Sequence, residues 1–125
     1  MNPDWQNITD PIFHYAKERP NAPAFHQGHI TMTYGELAPL VAKAAVHMHS
    51  YGFRPGQRVA INLTNSIDHF ILVLGLLRLG VTTMEVNYDP TRPISPGLLS
   101  KFTIQTIFIE ANGAPVQGFG AVRID

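Results

Sequence analysis

The stretch from Val59 to Val86 constrains this chain more than any other. A β-rich run, Val59-Ala60-Ile61-Asn62-Leu63, meets a polar turn, Thr64-Asn65-Ser66; an apolar helical segment follows and closes on Leu79-Gly80, and a second β-rich run spans Val81 to Val86. Strand, helix and strand joined this tightly form a parallel pair with a right-handed crossover. Asn65 or Ser66 supplies the helix cap, and Asp68 places a negative charge in the first turn, where the helix dipole favours it. Ile67, Phe70, Ile71, Leu72, Val73, Leu74, Leu76, Leu77 and Leu79 cover much of the helix circumference, so it must be enclosed on more than one side.

Ahead of this unit, Ile8-Thr9-Asp10-Pro11 opens a short helix carrying Ile12, Phe13, Tyr15 and Ala16, and Arg19-Pro20 stops it. Pro11 suits a first turn, whose N–H groups lack intrahelical acceptors, and Thr9 or Asp10 can cap. Ala24-Phe25-His26 and Ile30-Thr31-Met32 are β-prone and pair across Gln27-Gly28-His29 as a hairpin. Thr33-Tyr34-Gly35-Glu36 has capping-box spacing, and apolar positions 37, 40, 41, 44, 45 and 48 continue it as an amphipathic helix ending at Tyr51-Gly52. Arg54-Pro55-Gly56-Gln57 is turn chemistry.

Beyond Val86 a proline-containing loop, Asn87 to Pro93, leads to a short helix from Ser95-Pro96 to about Lys101. Ile104 to Ile109 reads as a third buried strand, Gly113 to Gly120 as loop, and Ala121 to Ile124 as a last strand. The expected fold is α/β: a partial parallel-sheet, Rossmann-like layer flanked by helices, with an N-terminal helix and a small β-hairpin. Residues 1–125 form a single domain, with no internal repeat and no interdomain linker.

Nine basic and nine acidic side chains cancel, and no segment gathers five charges of one sign, so nothing marks a nucleic-acid partner. Phe70 to Met84 is interrupted by Gly75, Arg78 and Gly80 and falls short of the roughly 20 apolar residues of a membrane span. Without cysteine there is no disulfide, thiol nucleophile or thiolate metal site. Met1 to Asn7 lacks a basic region followed by an apolar run, so it does not read as a secretory signal, and a cytoplasmic location is expected.

A search for chemistry leaves little. The turn after Leu63 has no glycine, so neither the dinucleotide nor the Walker phosphate loop is present, which argues against a dehydrogenase or a P-loop NTPase; a small flavodoxin-like nucleotide binder, a third reading, needs a phosphate-binding loop that is not found. Capping accounts for Thr64-Asn65-Ser66. His47 and His49 are two apart on a helix and diverge, and His14 and His69 have no acidic or histidine partner at ligand spacing; His26 and His29 flank the hairpin turn and face each other at most as a pair. No metal site is expected. Glu85 stands near the C-terminal end of an apolar strand, where open α/β sheets place ligands, so it is either a buried functional acid or a solvated or paired carboxylate at a sheet edge. Asp89 invites the same two readings.

Several runs stand in a definite order: Arg19-Pro20-Asn21-Ala22-Pro23-Ala24; then Thr31-Met32-Thr33-Tyr34-Gly35-Glu36-Leu37; then Tyr51-Gly52-Phe53-Arg54-Pro55-Gly56-Gln57-Arg58-Val59-Ala60-Ile61. Asn65-Ser66 before an apolar helix, Gly80, and Asn87 before a proline loop complete the series. From about Ile12 to Asn87 the chain thereby resembles the opening of the adenylate-forming superfamily of acyl-CoA synthetases, aryl-CoA ligases, luciferases and peptide-synthetase adenylation domains. Gln57 departs from that family's usual aspartate. Ile107-Phe108-Ile109-Glu110, an apolar strand ending in an acid, extends the likeness.

The resemblance implies a parent enzyme in which ATP and a carboxylate form an acyl adenylate, and a thiol such as CoA then takes the acyl group. It implies ATP, magnesium and CoA as the parent's cofactors, bound by a Ser/Thr/Gly-rich loop with a lysine, an aromatic-Thr-Glu motif, and a later aspartate and lysine. None of these lies in this chain, whose only lysines are Lys17, Lys43 and Lys101. No catalytic, cofactor-binding or metal residue is assigned. The resemblance implies an N-terminal scaffold fragment, with the remainder of the parent as partner and, as in some family members, a homodimer contact. The other reading is a self-standing noncatalytic module that binds a partner or dimerises.

Overall fold

The computed structural model describes residues 5–64, 66–86, 96–110 and 119–124. Four parallel strands form the main sheet: β3 (Arg58–Asn62), β4 (Thr82–Glu85), β5 (Thr106–Glu110) and β6 (Gly120–Ile124), in the order β4-β3-β5-β6. The remaining strands, β1 (Pro23–Gln27) and β2 (Ile30–Thr33), make an antiparallel hairpin. Around them lie α1 (Asp10–Glu18), α2 (Tyr34–Ser50), α3 (Ile67–Leu79) and α4 (Pro96–Lys101).

The expected elements are present, and their ends follow local chemistry. Thr33 caps α2 by accepting the Glu36 N–H, while the Glu36 carboxylate accepts the Thr33 N–H. Helix α3 begins at Ser66, whose hydroxyl accepts the His69 N–H at 3.1 Å. Its other end closes with paired bonds from Gly80 N–H to Leu77 O and Val81 N–H to Leu76 O, a Schellman motif that needs the φ of +94° Gly80 adopts. Pro39 stands exposed inside α2 and lacks the N–H that would reach back to Gly35.

Two expectations about these elements are corrected. Thr9 does not cap α1 with its side chain: its hydroxyl donates to Asn7 Oδ1, and the Asp10 carboxylate instead accepts the Gln6 and Asn7 N–H groups. Leu40 is 38% exposed although the sequence puts it in the apolar stripe of α2. The buried face is centred on Leu37, Ala38, Val41 and Met48, which leaves Leu40 at its rim.

Alternation along the strands divides the core into two clusters. Val59, Ile61, Leu63 and Phe108 pack with Met48, Leu72, Leu76 and Val81 beneath α2 and α3. Ala60, Ile107 and Ile109 pack with Leu99 of α4 and Ile104 on the opposite face. The result is helices on both sides of a parallel sheet. Helix α1 is fastened to the far end of α3, where Asn7 Nδ2 donates to Leu77 O and Arg78 pairs with Asp10 while lying 4.2 Å over the Phe13 ring.

The loop from Asn87 to Pro93, including Asp89, lies outside the described residues, as do Asn65, Ser95 and most of the Gly113 to Gly120 loop.

Candidate functional site

Parallel strands present all their C-terminal ends on one side, and here β3 and β4 finish side by side, with Ile61 opposite Glu85. Helix α3 runs back against them, so its first turn stands over the strand ends. That geometry brings His69, buried at 8% exposure, to Glu85: Nε2 lies 3.0 Å from Oε1. With its proton on Nε2, His69 donates to the carboxylate. Glu85 lies on the edge strand with its side chain 53% exposed. It is therefore the paired edge carboxylate of the two readings open in the sequence, and His69 is not the partnerless histidine that sequence spacing suggests. Ligand spacing counts neighbours along the chain, whereas this pair is made by the crossover.

A second carboxylate at the same rim works differently. Glu110, at the end of β5, accepts the Thr64 N–H and so ties the loop after β3 to the neighbouring strand. The Ser66 hydroxyl accepts the His69 N–H. Two N–H groups at the place where a nucleotide-binding sheet would cradle phosphate, those of Thr64 and His69, are thus taken by the chain's own side chains. Nearby, Asn62 Oδ1 is buried and has no hydrogen-bond partner among the described residues.

The hairpin completes the site from the other side. Gly28 turns it with a φ of +60°, and strand β1 carries Phe25 to within 5.0 Å, centroid to centroid, of Phe70 on α3. Between hairpin and helix lies a groove of about 900 Å³, walled by Phe25, Leu63, Phe70, Val73 and Val86, with His26, Gln27, Thr64, Ser66, His69 and Glu85 as its polar groups.

The other histidines stay apart. His26 Nδ1 is 2.8 Å from Thr31 Oγ1, its cross-strand partner, and does not pair with His29. His14 stacks edge-on with Trp5 and Tyr15, and His47 and His49 are exposed in the last turn of α2. Among the described residues no three metal-ligating side chains converge, and no helix is long and apolar enough to cross a membrane.

Comparison with known proteins adds to this picture. Over 65 residues the chain is 37% identical to 2-hydroxy-7-methoxy-5-methyl-1-naphthoate–CoA ligase of Streptomyces carzinostaticus, a stretch that is 52% of this chain and 12% of that ligase. It is 32% identical over 128 aligned residues to nonribosomal peptide synthetase 8 of Aspergillus fumigatus, covering 98% of this chain and 2% of the synthetase. Klebsiella oxytoca NpsA, solved in complex with 3-hydroxyanthranilyl-AMSN, shares the fold at a TM-score of 0.84 and 19% identity, over 96% of this chain and 25% of NpsA. The chain spans a quarter or less of the length of each of these relatives. The sequence model of the family described as AMP-binding enzyme matches residues 12–119. That match takes in most of the α/β unit, and the chain belongs to the AMP-binding enzyme family.

Proposed function

We propose that residues 1–125 are the N-terminal scaffold of an adenylate-forming enzyme, a single subdomain that builds one wall of the parent without itself binding ATP. The observation that carries this reading lies after β3, where the Thr64 N–H is held by Glu110 and the His69 N–H by the Ser66 hydroxyl, so neither N–H is left for a phosphate.

In this reading the parent joins ATP to a carboxylate and passes the acyl group to a thiol, with ATP, magnesium and CoA bound by the remainder, in the cytoplasm. A CoA ligase is the first choice because 37% identity is shared with such an enzyme. An adenylation unit of a peptide synthetase is the second, favoured by the alignment that covers 98% of this chain. Immunodetection of the native product with an antibody to α2 separates the scaffold reading from a self-standing module. A polypeptide several times longer than 125 residues is expected; a native product of this length alone would overturn the reading.

A further inference from the structure

The groove between the hairpin and α3 has the size and place of a ligand site, and Leu63, Thr64 and Ser66, which follow β3, line part of it. Its volume of about 900 Å³ lies within the range of small-molecule pockets. It opens at the C-terminal ends of β3 and β4, the side on which open α/β sheets receive ligands. Its walls are mostly apolar, and among its polar groups His69 and Glu85 pair.

Among the described residues of the lining Glu85 is the only carboxylate, no lysine or arginine is present, and His26 and His69 are the other titratable groups. His69, almost fully buried beneath it, holds Oε1 at 3.0 Å and fixes the carboxylate, which keeps acceptor capacity for another donor. Beside it stand the Phe25 and Phe70 rings, tilted 56° to each other, whose faces attract a cation as well as an apolar body. An anion entering the groove would meet the Glu85 carboxylate and, among the described residues, no lysine or arginine.

We propose that this groove binds a small organic ammonium ion with an aromatic or branched alkyl body. The nitrogen sits on Glu85 and the body lies against Phe25, Phe70 and Val73. His69 is a positioning residue that orients the carboxylate.

The test is an amide NMR titration of this chain with three probes that share a phenylethyl body: 2-phenylethylamine, neutral 2-phenylethanol and anionic 3-phenylpropionate. The amine should give saturable shifts at Phe25, Phe70, Val73 and Glu85, the alcohol weaker ones, and the anion none that saturate. Glu85→Gln should weaken amine binding by about tenfold or more. Val73→Trp, which fills the groove and keeps Glu85, should abolish binding while the spectrum elsewhere stays unchanged. The proposal is overturned if the anion binds as tightly as the amine, or if either variant binds the amine like the parent sequence. Shifts that map elsewhere, or that do not saturate at millimolar amine, overturn it as well.

Discussion

Gly75 on α3 meets Ala44 on α2 at backbone contact: a Cβ added at Gly75 would stand 2.5 Å from the Ala44 Cβ and 3.1 Å from its carbonyl carbon. No side chain larger than hydrogen fits without moving one helix. Gly75→Leu should therefore destabilise the chain by about 1–3 kcal/mol in urea unfolding, as overpacking does. Combined with Ala44→Gly the cost should shrink, and a double-mutant cycle that shows no coupling would refute the contact.

The two caps predict smaller effects of known sign. Thr33→Ala removes the acceptor for Glu36 N–H, and Ser66→Ala removes the one for His69 N–H. Each should cost about 0.5–2 kcal/mol by the same measurement. An unchanged urea midpoint would show that the cap is not formed in solution.

Asp10 sets an acid-side dependence. Its carboxyl is held below the usual 3.8, first by the Asn7 N–H, then by the Gln6 N–H and by the Arg78 guanidinium. Because the folded value is the lower one, this stabilisation is complete above the unfolded value and fades as pH falls through the folded value. Asp10→Asn should lower the melting temperature near neutral pH. The gap to the parent sequence should narrow on acidification through the carboxylate range, and a gap that stays constant would contradict the assignment.

At the centre of the larger cluster, Phe108 is fully buried and its ring centroid lies 5.4 Å from that of Phe53. Phe108→Ala should cost about 3–5 kcal/mol. A loss under about 1 kcal/mol would mean that the sheet and α2 do not close on this residue.

What the sequence could and could not tell follows the range of the interactions. Thr33 with Glu36, the turn at Gly28 and the end at Gly80 are local chemistry, and each was readable from residues a few positions apart. The parallel pairing of β3 with β4 followed from the short joins around α3. The insertion of β3 between β4 and β5 did not, because no local signal says which neighbour a strand selects. Leu40 misled because periodicity finds a stripe but not the edge of the partner that covers it.

The rim of the site was the least readable part. His69 and Glu85 are sixteen positions apart, and Thr64 and Glu110 forty-six. Both pairs exist only because parallel strands collect their ends on one side. For His69 a signal was available: an α3 running antiparallel to β4 must lay its first turn beside that strand's last residue. Glu110 gave only the hint of an acid closing an apolar strand.

The central claim is that this chain is scaffold and that its sheet rim is closed to nucleotide. Calorimetric titration of this chain with magnesium-ATP tests it most directly. The account predicts no saturable binding heat up to millimolar nucleotide, and binding at micromolar Kd would contradict it.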